Sequence, residues 1–235
     1  MISIDTVYQR VLALANKEQR GYITPQDFNL FANQAQMEIF EQYFYDVNMA
    51  RKGQGNDTVY GDVDDMLEQK MQIFERVDDS TAITANYASV ALGLKLPIYI
   101  YKIYKVLVNN KNAEILNAKD FSEVKYGPRL ITPNLIRPVA NIMNNEIRCY
   151  ANSTITPSEI HYFKKPDKVN WAYIVMNEKA MYNQGAQVDF ELHRSEETQL
   201  VNKILKLSGI SIKQQDVAQA GQGMEAFTIQ QQPKI

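Results

Sequence analysis

From Ser3 onward the apolar residues Ile4, Val7, Val11 and Leu14 recur at helical spacing, so they share one stripe of a helix. Ser3 is placed to cap it, Asp5 falls in its first turn, and Gly21 is a suitable terminator. A second start is written more fully. Thr24 takes the cap position, Pro25 the first helical position, and Asp27 follows three residues after the cap. Phe28, Phe31, Ala35, Ile39 and Tyr43 then line one face, widened by Phe40 and Phe44, and the helix is predicted to end near Ala50. Such a face packs in a core or against a neighbouring subunit. The polar, glycine-punctuated run at 51–61 separates it from a third helix expected over Val63–Val77, with Val63, Leu67, Met71 and Phe74 inward.

Beyond Val77 the periodicity changes. Ile98–Val108 is rich in β-branched residues and tyrosine and stops at Asn109-Asn110, a hairpin corner, with a return over Ala113–Leu116. Phe121–Tyr126 reads as a short helical turn and Pro128–Pro138 as an extended edge or loop. Asn144-Asn145 is a second corner, followed by alternation through Ile147, Cys149 and Ala151. Ser158–Phe163 is a further strand, and Tyr173–Met176 with Ala180–Tyr182 makes one more hairpin. Short turns without crossover helices predict an antiparallel sheet or small barrel.

QVDFELH (187–193) alternates as a strand and runs into Ser195, placed to cap a helix whose apolar face is Leu200, Val201, Ile204 and Leu205 and whose stop is Gly209. That helix is expected to return to the amino-terminal helices. Residues 214–235 hold 7 Gln and few large apolar groups, too few for a core of their own. They are either a free tail or a segment that orders against a partner; Gln214, Gln215, Gln219, Phe227 and Ile229 are its candidate docking residues. The expected fold class is therefore α+β. It comprises an amino-terminal helical bundle (1–79), an antiparallel β module (80–193), a returning helix (194–213) and a flexible tail (214–235).

Charge alters this picture. The net charge is −2, but residues 1–79 hold 7 Lys+Arg against 14 Asp+Glu, whereas residues 80–193 hold 13 against 9. The acidic excess gathers at Asp62, Asp64, Asp65 and Glu68 and again at Asp78 and Asp79. No basic stripe of the kind that reads nucleic acid is present. The acidic run is not an EF-hand: counted from Asp62, the sixth and twelfth positions are Leu67 and Ile73, where glycine and glutamate are required. It reads as a solvated helix start that complements the helix dipole. One cysteine, Cys149, leaves no internal disulfide, and two histidines leave little material for zinc. Cys149 with His161 lacks an orienting third member, and Cys149 reads as a small buried strand residue. His193 reads as a strand-end residue hydrogen-bonded to backbone or carboxylate, and Trp171 as an anchor packing its loop onto the sheet in preference to a ligand-stacking platform. No catalytic, cofactor-binding or metal-binding residues are expected, and no cofactor. The opening MISIDTVYQR lacks the order of a signal peptide, so the chain is expected to stay in the compartment where it is made.

Three blocks carry a resemblance: LANKEQRGYITPQDFNLFANQAQMEIFEQYF (14–44), KKPDKVNWAY (164–173) and QVDFELHRSEETQLVNKILKLSGI (187–210). They resemble a recurring pattern in structural proteins of tailed phages, closest to crAss-like and related phages of Bacteroidetes hosts. The blocks mark packing and caps, not an active site. The order of helices, β module and returning helix is also similar to the head–tail connector (adaptor) proteins of short-tailed phages. That resemblance implies a virion protein, in the neck or tail and in the host cytoplasm during assembly. It implies a homo-oligomeric ring of about twelve copies with heterologous contacts. The implied partners are the portal protein, neighbouring neck or tail rings, and genomic DNA passing without sequence-specific binding; no membrane is implied. A tail-tube or nozzle ring and a non-virion assembly factor remain alternatives. Asp62, Asp64, Asp65 and Glu68 are then candidates to face the channel.

Overall fold

In the computed structural model, which describes residues 1–17, 23–52, 59–90, 93–127, 132–177 and 179–211, the first stripe forms α1 (Ile4–Lys17). Ile4, Val7, Tyr8 and Val11 are its buried residues. Its first amide is satisfied at long range: Ile4 N–H donates to Asp189 Oδ1 at 2.9 Å. The expected terminator, Gly21, lies outside the described residues. The second start is observed as read. Asp27 N–H donates to Thr24 Oγ1 at 3.1 Å, the Thr24 hydroxyl donates to Asp27 Oδ2 at 2.7 Å, and α2 runs Pro25–Lys52. Phe28, Ala35, Ile39, Phe40 and Tyr43 are buried along it, joined by Ala32 and Val47.

The third helix is shorter than its periodicity suggested. α3 spans Val59–Met71, a 3-10 turn follows at Gln72–Phe74, and Glu75–Asp79 is strand β1, not helix. Backbone pairing with a partner strand, Val77 opposite His161, overrides the helical pattern. Asp79 then accepts from Ala82 N–H at 2.8 Å and caps α4 (Ser80–Asn86).

The remaining strands are β2 (Ala88–Val90), β3 (Gly93–Lys95), β4 (Ile100–Val108) and β5 (Lys111–Leu116). Helix α5 (Ala118–Tyr126) follows, and then β6 (Val139–Met143), β7 (Glu146–Tyr150), β8 (Thr154–Ile155) and β9 (Glu159–Lys164). They form one nine-stranded sheet ordered β1-β9-β4-β5-β6-β7-β3-β2, with β8 beside β7. Among the described residues the path does not close into a barrel. The expectation of a purely antiparallel module is corrected: β5 and β6 are parallel. Parallel neighbours need a crossover of a dozen or more residues, and residues 117–138 supply it. The reading of 121–126 as a mere turn concealed this. Both Asn-Asn corners hold: Asn109, Asn110, Asn144 and Asn145 have φ of 49°, 59°, 53° and 60°, the left-handed pair of a two-residue hairpin loop. Ile103, Val106, Ala140, Ile147, Cys149 and Ile160 belong to the sheet's buried core.

Past the sheet come β10 (Tyr173–Met176) and β11 (Lys179–Tyr182), a separate two-stranded sheet that realises the last predicted hairpin. QVDFELH is not a regular strand. It is extended, with single bridges of Phe190 to Ile2 and Val188 to Asn170, while Phe190 and Leu192 are fully buried. The cap of the last helix also moves. His193 heads a 3-10 turn, Arg194–Glu196, before α6 (Glu197–Ser211), and Gly209 lies inside α6 instead of ending it. α6 returns to pack against α1 and α2, and α2 packs against α3. Among the described residues, Met1–Ile73 and those from Pro166 onward form one compact unit, and Phe74–Lys165 form another. The helical unit thus also contains the small hairpin.

Candidate interaction surfaces

Within the helical unit, the extended segment from Asp167 to Trp171 lies against α2 through side-chain amides. Asn33 Oδ1 accepts from Val169 N–H at 3.0 Å, and Asn33 Nδ2 donates to Val169 O at 2.9 Å. Asn29 treats Trp171 the same way, at 2.8 and 3.3 Å. Gln36 Nε2 donates to Asp167 O at 2.8 Å, and its Oε1 accepts from Glu191 N–H at 3.1 Å. Four helical residues rise about 6 Å and two extended residues about 6.6 Å, so Asn29 and Asn33 keep step with Trp171 and Val169, and the longer Gln36 side chain, three residues on, reaches Asp167. On its other edge Asn170 exchanges backbone bonds with Val188 at 3.0 and 3.1 Å. The segment therefore behaves as a strand whose second neighbour is a row of amide side chains. The signal lay in the sequence unread: Asn is a poor helix-interior residue, yet two stand one turn apart on α2.

Trp171 ends this row as the expected anchor. It is buried, its Nε1–H donates to Asp5 Oδ1 at 3.0 Å, and its ring stacks on Tyr173 and Tyr182, with centroids at 6.0 and 5.5 Å. That stack fixes the base of the β10–β11 hairpin. The opposite hairpin face has no such cover. Ile174 lies directly across from Met181, and both are 54% exposed; Met176, on the same face, is 57% exposed. Three large apolar side chains on one small sheet form a surface suited to a partner.

Among the acidic candidates, Asp65 and Glu68 are exposed on α3. The side chains of Asp62 and Asp64 lie outside the described residues, as do Gln214, Gln215, Gln219, Phe227 and Ile229. Of the second acidic group, Asp79 is exposed and Asp78 is half-buried. Asp78 accepts from the Tyr87 hydroxyl at 3.1 Å and from the Tyr162 hydroxyl at 3.3 Å. Burial first, and then the Asp78 charge, push both phenols above their ordinary pKa. Cys149 and His161 are not brought together: β7 and β9 are separated in the sheet by β6, β5 and β4. Burial pushes the Cys149 thiol up to about 12, so it is no nucleophile at neutral pH. His193 Nδ1 accepts from Ser195 N–H at 3.3 Å, the backbone bond expected of it.

A further cluster was not anticipated. Glu196 is buried and meets Lys70 Nζ at 2.6 Å, tying α3 to the start of α6. Tyr43 and Asp46 line the same small cleft with Leu67 and Gln199. Burial raises the Asp46 carboxyl above its ordinary value, opposed by Lys70 and reinforced by Glu196. Among the described residues no group of three or more His, Cys, Asp or Glu is arranged to hold a metal ion. None of the described helices is long and apolar enough to cross a membrane. No protein-family model matches the chain, and neither does any curated protein.

Proposed function

We propose that the chain is a ring-forming structural subunit of a tailed-phage particle, a head–tail connector (adaptor) that joins portal to tail and surrounds the DNA path. Two considerations support the reading. The first is the resemblance of the three sequence blocks, which meet in one unit: the amides of α2, the segment ending in Trp171, and the Phe190–α6 stretch bond to or pack on one another. The second, which carries it, is a charge distribution along the chain suited to head-to-tail contacts. The helical unit holds 13 Lys+Arg against 19 Asp+Glu, and the sheet unit 12 against 8. Two units of opposite net charge within one subunit favour heterologous pairing over self-complementary pairing. The exposed Ile174–Met181–Met176 face adds apolar area to such a contact.

In this reading the exposed acids of α3, with Asp62 and Asp64, face the channel and keep DNA from adhering as it slides. The tail from Gln214 docks on the portal or an adjacent ring. Peptide counting in purified particles tests the assignment: the chain is expected near one to one with the portal protein. A clearly different but fixed ratio selects the tail-tube or nozzle alternative, and absence from the particle selects an assembly factor. Charge reversal at Asp62, Asp64 and Asp65 should slow genome ejection; unchanged ejection removes the channel-facing role.

A further inference from the structure

We infer that the cleft between α5 and strands β7 and β8 binds a small phosphate-type oxyanion. This stands apart from the ring reading and concerns the sheet unit alone. The cleft has a volume of about 40 Å³ and is lined by Phe121, Lys125, Arg148, Cys149, Tyr150 and Thr154. A single water needs roughly 10–15 Å³ on this scale, so the space takes a body of several heavy atoms.

Its polar wall is cationic. Arg148 Nη2 donates to Glu146 Oε2 at 2.9 Å, which leaves the rest of the guanidinium to other acceptors. Arg148 Nε is buried and has no partner among the described residues. A buried donor without an acceptor is costly, and a charged one more so, which makes it a strong site for an anion. Lys125 Nζ lies 5.2 Å from the Tyr126 ring centroid and 5.3 Å from that of Tyr150, and it makes no ion pair among the described residues. With Glu146 spent on Arg148, one positive charge remains uncompensated. Thr154, paired across from Tyr150, lines the same cleft and carries a hydroxyl.

The donors come from three elements: Lys125 from α5, Arg148 from β7 and Thr154 from β8. Donors contributed by three separate elements suit a tetrahedral acceptor better than a planar carboxylate. Both inorganic phosphate and a backbone phosphate of a nucleic-acid strand present that chemistry.

The test follows the Arg Nε–Hε resonances of the ¹⁵N-labelled full chain during titration with inorganic phosphate. The Arg148 signal is identified by its loss in Arg148→Lys. It is expected to shift saturably. Lys125→Met, which keeps the aliphatic stem over Tyr150, should weaken the apparent affinity about tenfold while leaving the backbone amide spectrum in place. A second titration with a short single-stranded oligonucleotide separates the sources. Saturation of the same resonance at lower concentration assigns the site to a nucleic-acid phosphate, and a response to phosphate alone assigns it to the free anion. No saturable shift of Arg148 with either probe, or an unchanged affinity in Lys125→Met, overturns the proposal.

Discussion

The two units satisfy an extended backbone in different ways. In the sheet unit, strands bond to strands, so most of the bonding is indifferent to which side chain sits where. In the helical unit, the stretch from Asp167 to Trp171 takes one row of its bonds from Asn29, Asn33 and Gln36, and here residue identity is the bond. Substitution should therefore be tolerated on the sheet wherever burial and turn geometry are kept, and hardly at all on the amide face of α2.

The contrast breaks most visibly at Asn33. Asn33→Ala leaves both Val169 N–H and Val169 C=O without their partner, and at roughly 1–3 kcal/mol for each such group the expected loss is about 2–6 kcal/mol. Urea unfolding measures it. Cys149 sharpens the result, because its buried thiol reacts only when the sheet core opens: alkylation of Cys149 in native buffer should not accelerate in Asn33→Ala. Faster labelling would mean that the two units open together.

Next in size is a sheet position where the absence of a side chain matters to pairing. A Cβ at Gly93 would collide with the Ile147 carbonyl of the adjacent strand. Gly93→Ala is expected to cost about 1–3 kcal/mol and to raise Cys149 labelling, the reverse of the Asn33 pattern. Equal labelling of the two variants would abolish the distinction between the units.

A smaller effect depends on pH. Burial raises the Asp46 carboxyl above its ordinary 3.8, so the folded chain retains a proton that the unfolded chain gives up. The stability this contributes is whole below 3.8 and is lost as pH rises through the folded value. Asp46→Asn should flatten that decline in a series of urea midpoints between about pH 4 and pH 7. An unaltered slope would place the titration elsewhere. Smallest of all, Asn109→Gly should shift stability by only a few tenths of a kcal/mol, because either residue accepts the left-handed corner. A thermal scan resolves it, and Asn109→Val, which resists that geometry, should cost about 1 kcal/mol or more.

What could be read from the chain followed the same division. Local rules placed Thr24-Pro25 at the head of α2, the two Asn-Asn corners, the hairpin around Asn177 and the burial of Cys149. The failures lie where a distant partner decides. Residues 75–79 carry a helical pattern but pair with β9. Ser195 can cap, yet His193 does. Gly209 is buried within α6, where packing outweighs its preference to end a helix. The parallel β5–β6 pair depends on the crossover through α5, and neither strand's own residues reveal which neighbour it takes. The amide row was hidden for another reason: its residues look like ordinary polar positions until the segment they hold is known, 136 residues away. The oxyanion cleft likewise depends on Lys125 and Arg148 being brought together by the crossover, which no spacing reveals.

The sheet unit is one uninterrupted stretch of chain, and its first and last strands, β1 and β9, are hydrogen-bonded neighbours. The helical unit is split around it. As the protein leaves the ribosome, the sheet therefore has all of its strands before α6 has been translated. α1 and α2 emerge first but must wait, with Phe28 and Ile39 uncovered, for Trp171, Phe190 and Leu200 to arrive. The amino-terminal helices are thus the part of the nascent chain most in need of a chaperone, although they are the part made earliest.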